Sequence, residues 1–236
     1  MDFEEGLTKC LAYYNDSTYM EASFPSLTEK LRSLLPTEKL HPIESSKQIT
    51  PIKMSASENK EWYSKRLGKN PLPPYNVYTF SIPVTYISEN QPPLDGEYIV
   101  WMPETHELPI KGGIEGWGFN KFISEIKFEE TKDARTCKVA IDGKKFIWFT
   151  VKKLTGSESQ EDQYVYNKMG NHLTRTLVQY KGQFELAAGS SATFELGEHQ
   201  IAKKMRSLGI ENTPLRVKFG LKIRGNLHAF NQTLPL

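Results

Sequence analysis

The sequence has little cysteine, and this excludes one class of fold. Only Cys10 and Cys137 occur among the 236 residues. A disulfide framework needs several cysteines at close spacing, so these two could form at most one bridge. Neither has the neighbouring residues of a catalytic thiol. A reducing, cytoplasmic location is therefore the expectation for this chain.

Long apolar runs and an excess of one charge are also missing. No stretch is apolar enough to predict a membrane span, and Met1–Glu5 lacks the basic start and apolar core of a secretory signal. The 30 basic and 28 acidic residues leave a formal net charge of +2. This balance, without a known binding module, predicts neither a nucleic-acid nor a membrane partner.

Histidine is sparse, and the five histidines are scattered along the chain. The segment most similar to a zinc helix, Glu104-Thr-His106-Glu107, lacks the second histidine that such a site needs. The glycines at 112–118 lack the strand-to-helix context of a phosphate or dinucleotide loop. The sequence therefore predicts no metal site and no cofactor.

Length and apolar content predict one domain over residues 1–236, in two parts. A chain of 236 residues with 38% hydrophobic residues can bury a core of its own. In the first part, about 1–70, leucines at helical spacing predict a helix from Ser26 that ends before Pro36. Shorter helices are expected up to Tyr14 and around Glu58–Leu67. This part is therefore predicted to be mainly helical.

The second part, about 75–236, has the composition of strands. Aromatic and β-branched residues cluster at Val77–Ile82, Val84–Ile87 and Tyr98–Met102. Asp142-Gly143 is the strongest hairpin signal. Eight or more short strands with few helices predict an α+β fold, with a mainly antiparallel, strongly curved or closed β-barrel-like sheet and a few peripheral helices.

One lysine, Lys121, lies among aromatic residues. It follows Trp117-Gly-Phe-Asn, after a glycine-rich segment that we interpret as a turn, and precedes Phe122. Exclusion from water penalises the charge of an ammonium and favours the neutral amine, which can attack a carbonyl. The alternative is a lysine that leads its ammonium out to solvent over an apolar stem, which is the commoner case.

Three motif segments lead up to Lys121 along the chain. They are Glu107-Leu-Pro-Ile110, Gly113-Ile-Glu115 and Trp117-Gly-Phe-Asn-Lys121. Together they resemble the core signature of the acetoacetate decarboxylase family, and thinner similarity extends over roughly residues 20 to 230. The resemblance implies that Lys121 forms an imine with the substrate. It also implies that Glu115 orients the amine or shuttles protons.

The resemblance implies an acetoacetate-decarboxylase-like fold and a Schiff-base-forming lyase that needs no cofactor. Its substrate would be a small keto acid or a related carbonyl compound, through decarboxylase-like or aldolase- or dehydratase-like chemistry. The family also implies a homo-oligomer. An apolar barrel cavity would hold the substrate, and aromatic residues are the candidates for its wall, with ordinary core packing as the alternative for each. They are Phe80, Tyr86, Trp101, Trp117, Phe119, Phe122, Trp148 and Phe149.

Several positions depart from the family's pattern. Ile114 replaces an arginine, Asn120 a proline and Phe122 the second lysine. The family's upstream catalytic carboxylate would fall near Tyr78-Thr79-Phe80, where no acid is present. These departures favour chemistry other than the family's namesake reaction. They also leave an alternative, a catalytically inactive small-molecule-binding protein that keeps the apolar barrel pocket.

Overall fold

Strands dominate the computed structural model, which describes residues 1–65, 67–68, 71–89, 91–187 and 191–236. The helices are α1 (Phe3–Lys9), α2 (Thr28–Leu31), α3 (Glu107–Trp117) and α4 (Gln200–Ser207), and a 3₁₀ turn covers Arg32–Leu34. The strands are β1 (Ala12–Leu27), β2 (Leu40–Pro42), β3 (Ile49–Ser64), β4 (Tyr75–Ser88), β5 (Gln91–Glu104), β6 (Lys121–Ile123), β7 (Glu125–Glu130), β8 (Ala134–Ile141), β9 (Lys144–Lys152), β10 (Ser157–Met169), β11 (His172–Ala187), β12 (Ala192–Leu196) and β13 (Arg216–Pro235). None of the helices in these residues is long and apolar enough to cross a membrane.

Seven strands close into a barrel. Their order is β4-β3-β1-β13-β11-β10-β5, and β5 pairs back onto β4. β2 extends the sheet beside β4, and β6 extends it beside β5. The β5–β10 and β5–β6 pairings are parallel, while the other pairings in this sheet are antiparallel. The predicted α+β fold with a closed, mainly antiparallel sheet is confirmed, and the parallel pairings make the sheet mixed.

A second sheet, in the order β12-β9-β8-β7, packs on one face of the barrel. Tyr78 on β4 meets Phe146 on β9 with ring centroids 5.6 Å apart, and Phe24 on β1 meets Phe194 on β12 at 4.9 Å. The predicted hairpin at Asp142-Gly143 is confirmed. It joins β8 to β9 with φ values of 51° and 70°, the positive values that a primed two-residue turn requires.

Alternation along the barrel strands separates the apolar core from the barrel interior. On β4, Tyr78 and Phe80 point toward the core under the second sheet, whereas Val77, Thr79 and Ser81 line the interior cavity. Successive residues of a strand point to opposite faces, so one strand serves both environments. The barrel interior is therefore more polar than the core beneath the second sheet.

The prediction that residues 1–70 are mainly helical is wrong. β1 and β3 are strands of 16 residues each, and they pair along their length. The helix predicted from Ser26 shrinks to α2 and the 3₁₀ turn, and the one predicted at Glu58–Leu67 falls on β3 as far as Ser64, while residue 66 lies outside the described residues. Four polar residues of β3 face the barrel cavity, namely Lys53, Ser55, Ser57 and Asn59, so this strand resembles a surface segment in sequence.

The two cysteines are free and buried, so no disulfide joins them. Cys10 lies directly after α1, and Cys137 lies on β8 in the core. Burial raises the pKa of both thiols, most strongly for Cys137. Both cysteines therefore act as small core residues.

Adjacent aromatic residues on β9 test the assignment of its two faces. We expect Phe149→Ala to lower the free energy of unfolding by about 3–5 kcal/mol, because the ring is fully buried. Trp148→Ala should cost about 1 kcal/mol or less, because Trp148 is 40% exposed and contacts mainly the ammonium groups of Lys138 and Lys145. Urea unfolding of both variants measures the difference. Equal losses would contradict the assignment.

Candidate active site

The glycine-rich segment interpreted from sequence as a turn is a helix, and it places Lys121 at the barrel. His106 is the N-cap residue of α3, and its Nδ1 accepts a hydrogen bond from the Leu108 N–H at 3.1 Å. The helix ends at Gly118, and the chain turns back into β6. Lys121 then pairs with Met102 of β5 in parallel register. The lysine side chain thus enters the space between α3 and the barrel.

The ammonium of Lys121 is buried against a carboxylate. Its Nζ lies 2.7 Å from Glu104 Oε1, and the side chains of Lys121 and Glu104 are 7% and 1% exposed. Nζ also donates a hydrogen bond to the carbonyl oxygen of Pro109 at 3.2 Å and lies 5.2 Å from the centroid of the Phe119 ring. The sequence alternative of a solvent-directed lysine is therefore excluded.

Glu104 is held in a setting that favours its protonated form. Burial raises the pKa of this carboxyl, and the ammonium of Lys121 opposes the rise only in part. Neither of its oxygens has a hydrogen-bond partner within the described part of the chain, so the 2.7 Å contact between Oε1 and Lys121 Nζ is an ion pair. A carboxylate with a raised pKa next to an ammonium can take a proton from it. The carboxyl of Glu104 is therefore placed to exchange protons with a group bound at Lys121.

A β-bulge aims Glu104 into the barrel. The pairing of β4 with β5 shifts register between Phe80 and Ser81, and the consecutive residues Val100 and Trp101 of β5 both pack toward the apolar core. The bulge changes which face later residues occupy, so Glu97 and Glu104 both line the cavity although they are seven positions apart. The Asn120 side-chain amide donates to the Val100 carbonyl oxygen at 2.7 Å. Asn120 thus ties the lysine segment to the bulge.

Gly113 has no side chain, and Lys121 occupies the space where one would lie. A Cβ at this position would lie 2.5 Å from Lys121 Cε and 2.7 Å from Nζ. Such contacts are far shorter than ordinary van der Waals separations, so the lysine would have to move. A Cβ at the neighbouring Gly112 would meet no atom of the described chain within 4 Å. The two glycines therefore form a matched pair.

We expect Gly113→Ala to slow the reaction of Lys121 with carbonyl compounds by about a hundredfold, because a displacement of about 1 Å can cost that much. Gly112→Ala should react at the wild-type rate and gain up to about 1 kcal/mol of helix stability. Reductive trapping rates and thermal unfolding check both variants. Equal trapping by the two variants would show that Lys121 needs no clearance at Gly113.

The barrel cavity in front of Lys121 is small, and its mainly apolar surface is interrupted by polar and charged groups. Its volume is about 110 Å³, well below the roughly 300–1,000 Å³ typical of sites for drug-sized ligands. Four tyrosines line it, together with serine, asparagine and glutamine side chains and several aliphatic residues. Burial raises the pKa of each of these tyrosines, which are Tyr14, Tyr19, Tyr75 and Tyr180. Their hydroxyls therefore keep their protons and remain hydrogen-bond donors.

A second pocket of about 80 Å³ reaches Lys121 from the other side. Its lining is mainly apolar and includes Trp62, Trp117 and Leu108. Four residues border both spaces and lie between them: Tyr14, Tyr75, Lys121 and Leu227. The predicted apolar pocket thus corresponds to two spaces with mainly apolar surface, and the barrel cavity carries more polar and charged groups than the second pocket.

The predicted wall residues lie in different places. Phe119 lines the barrel cavity, and Trp117 lines the second pocket, where its indole N–H donates to the carbonyl oxygen of His228 at 2.5 Å. Phe80 is fully buried in the core and contacts Trp101, with ring centroids 5.2 Å apart. Phe122 packs against the same core. The remaining wall candidates are core residues, Tyr86 and Phe149, and a surface residue, Trp148.

Glu115 does not meet Lys121 in the structure. It is exposed on the outer side of α3 and borders a surface groove with Ile114 and Ile123. Helical geometry explains this, because Gly113 faces the lysine and a residue two positions later is rotated by about 200°. The carboxylate at the amine is Glu104, which the motif comparison missed.

A second charged cluster lies on the cavity wall. Lys53 pairs with Glu97 and lies 3.6 Å from Glu21 Oε2, and Ser81 Oγ donates to Glu97 Oε2 at 2.9 Å. Burial opposes the charge of Lys53, yet the two carboxylates raise its pKa above the usual value. Burial likewise opposes ionisation of Glu21, but Lys53 lowers its pKa, and Tyr19 donates a hydrogen bond to it. We call Glu21, Lys53 and Glu97 the Lys53 cluster.

Comparisons with known proteins agree with this architecture. The family model described as acetoacetate decarboxylase (ADC) matches residues 4–220. No curated protein matches the sequence. Among solved structures, acetoacetate decarboxylase from Legionella pneumophila has a TM-score of 0.63 at 15% identity, covering 94% of this chain and 86% of that one.

Two further structures have the same fold. An acetoacetate decarboxylase-like enzyme from Sphingomonas wittichii RW1 has a TM-score of 0.60 at 12% identity, covering 95% of this chain and 92% of that one. The enduracididine biosynthesis enzyme MppR complexed with pyruvate has a TM-score of 0.64 at 9% identity, covering 94% of this chain and 89% of that one. At these identities the likeness concerns the fold.

Proposed function

Because the chain belongs to the acetoacetate decarboxylase family, we propose that it is a Schiff-base-forming lyase that acts on a small carbonyl compound through Lys121. The observation that carries the proposal is the buried contact between Lys121 Nζ and Glu104 Oε1 at the edge of the barrel cavity. A lysine removed from water, with a proton acceptor at hydrogen-bond distance, has the arrangement that imine chemistry needs.

In this proposal, Glu104 activates the Lys121 amine in place of the second lysine that the family's pattern has. Phe122 stands where that pattern has a second lysine, and it packs against the core. A neighbouring cation is therefore not what makes the Lys121 amine available. Instead, we assign Glu104, 2.7 Å from Lys121 Nζ, as the group that accepts the ammonium proton when a carbonyl compound binds. The resulting amine and carboxylic acid are both neutral, which suits a site shielded from water.

The imine forms in balanced proton steps. The lone pair of Nζ attacks the carbonyl carbon, and the carbonyl π electrons move to oxygen. Glu104 gives its proton to that oxygen and takes one from the nitrogen, which leaves a neutral carbinolamine. Glu104 then protonates the hydroxyl, water leaves, and an iminium forms beside the Glu104 carboxylate. One carboxyl group thus serves as acid and base in turn.

The iminium provides the electron sink for the lyase step. When a carbon–carbon bond next to it breaks, the electron pair moves toward nitrogen and an enamine forms. The enamine carbon takes a proton, and water hydrolyses the iminium to release the product and the free amine. Loss of carbon dioxide and retro-aldol cleavage both follow this course, and dehydration of a hydroxy-carbonyl compound uses the same iminium.

A small carbonyl ligand is consistent with a relative of the same fold. MppR is described in complex with pyruvate, a three-carbon compound with a ketone. The barrel cavity of about 110 Å³ is of a size that suits so small a ligand. The homo-oligomer that the family resemblance implies stays a prediction.

Reductive trapping tests the proposal. The protein is incubated with sodium cyanoborohydride and a panel of small ketones, aldehydes and keto acids, and its intact mass is measured. We expect a mass gain of one reduced adduct per chain with at least one compound, without added metal or cofactor. If no member of the panel gives an adduct above that of the denatured protein, the imine mechanism is wrong.

A further inference from the structure

The lysines that face the barrel cavity are both already paired with carboxylates. Among the described residues that line the cavity, the charged side chains are Lys53, Lys121, Glu97 and Glu104. Lys121 pairs with Glu104, and Lys53 pairs with Glu97. Glu21, 6% exposed, adds a second carboxylate to Lys53. Within this part of the chain, the wall therefore offers no uncommitted cation to a ligand.

Residues behind the wall do not change this balance. Lys218 is buried, but it pairs with Glu161, and its Nζ lies 4.0 Å from the centroid of the Phe184 ring. It is not among the residues that line the cavity. An anionic ligand would have to displace a carboxylate from Lys53 or lie unpaired beside Glu97. Either arrangement leaves a charge without its partner in a buried site, which is costly.

The uncharged polar groups of a ligand would find hydrogen-bond partners on the cavity wall. The hydroxyls of Tyr75 and Tyr180 retain their protons, and each can both donate and accept a hydrogen bond. Ser57, Asn59 and Gln163 add further polar groups to the wall, and Asn59 Oδ1 already accepts hydrogen bonds from Ser17 and Ser57. Glu97 accepts hydrogen bonds, and a ligand hydroxyl can donate to it. The wall therefore suits a ligand that carries hydroxyl groups.

From this arrangement we infer that the cavity selects an uncharged, hydroxyl-bearing carbonyl compound over a keto acid. The inference rests on the proposed function, since it names the substrate class for the Lys121 site. It also favours retro-aldol cleavage or dehydration over decarboxylation, because a substrate without a carboxylate has no carbon dioxide to lose. The Lys53 cluster is the specificity-determining feature.

Two matched pairs of methyl ketones test the selectivity. Pyruvate and hydroxyacetone differ only in a carboxylate against a hydroxymethyl group, and acetoacetate and 4-hydroxybutan-2-one differ in the same way. Reductive trapping rates at Lys121 are divided by those of Nα-acetyllysine, which removes intrinsic differences in carbonyl reactivity. We expect the hydroxy ketone of each pair to be trapped about tenfold faster or more, the ratio that one lost polar contact produces. Equal or faster trapping of the keto acids would overturn the inference.

The failure of the inference can be distinguished from failure of the proposed function. Ligand-observed nuclear magnetic resonance measures the affinity of the four compounds for the wild-type protein without any adduct. If Lys121 traps none of them, the imine mechanism fails, and the affinity ratio still decides the selectivity. Stronger binding of the hydroxy ketones supports it, and equal or stronger binding of the keto acids refutes it.

A variant of the Lys53 cluster makes the test specific. Glu97→Gln keeps the shape of the side chain but removes one of the two negative charges at Lys53. We expect it to shift the normalised preference toward keto acids by about tenfold, because Lys53 becomes available to a ligand carboxylate. Retained trapping of hydroxyacetone shows that the variant folds. Glu195→Gln, which removes a carboxylate paired with Lys145 at the surface, is the control and should leave the ratio unchanged. An unchanged ratio in Glu97→Gln would overturn the role of the cluster.

Discussion

Lys121→Met is expected to abolish adduct formation and to lower turnover of any substrate by roughly a thousandfold or more, as loss of the nucleophile does in covalent enzymes. Methionine preserves much of the side-chain volume but has no amine. The measurement is consumption of the carbonyl compound together with intact mass after reduction. The control is Lys138→Met, which should retain full activity. Lys138 lies on β8 and pairs with Glu129 of β7.

The same variant changes the pH dependence of stability. Burial raises the pKa of Glu104, and Lys121 opposes that rise, so removal of Lys121 should raise this pKa further. A carboxyl with a raised folded-state pKa favours the folded state at low pH, and that contribution is lost as pH rises through the raised pKa. Compared with wild type, Lys121→Met should therefore lose stability progressively toward higher pH. Urea unfolding at several pH values measures this, and a parallel loss at all pH values would contradict the buried pair.

The second large effect is expected from Glu104→Gln. Glutamine fills the same space but cannot take the ammonium proton, so we expect iminium formation to slow by about 10²–10⁴-fold. Exchange of the hydroxyacetone carbonyl oxygen with ¹⁸O-labelled water reports iminium formation directly, because each cycle of formation and hydrolysis replaces that oxygen. Glu115→Gln should exchange at the wild-type rate, since Glu115 lies outside the site.

These two glutamate variants distinguish the structural assignment from the motif-based one. If Glu115→Gln slows exchange while Glu104→Gln does not, the carboxylate role belongs to the position that the family signature suggested. If neither variant slows exchange, Lys121 is activated without a carboxyl partner. The double variant Lys121→Met with Glu104→Gln should recover stability relative to Lys121→Met alone, because the unpaired buried carboxyl is gone.

Much of the barrel could be predicted because its strands have strong local signals. The aromatic and β-branched runs from Tyr75 onward and the Asp142-Gly143 turn identify strands without knowledge of their partners. β1 and β3 could not be recognised in this way. Apolar and polar residues do alternate on β3, where Ile52, Met54 and Ala56 are buried between the cavity-facing Lys53, Ser55 and Ser57. This alternation lacks the aromatic and β-branched clusters that mark the later strands, so composition alone does not reveal it.

At the candidate site, the motif around Lys121 was sufficient to select two residues that line the barrel cavity, Lys121 and Phe119. It was not sufficient to find Glu104, because the bulge at Val100 and Trp101 reverses the face on which later β5 residues lie. Strict alternation along β5 from Glu97 would place Glu104 on the face that points away from the cavity. A carboxylate at the end of a strand next to the lysine segment, in Met102-Pro-Glu104, is the signal that could have suggested it. Glu115 was misplaced because α3 is a helix rather than a turn.

Tandem mass spectrometry of the reduced hydroxyacetone adduct tests the central claim most directly. A second lysine of the wild-type protein, Lys53, lines the same cavity and serves as an internal control. We predict modification at Lys121 close to one adduct per chain, with Lys53 and the surface lysines unmodified. Modification at Lys53, modification spread over surface lysines, or an unmodified Lys121 would contradict the account.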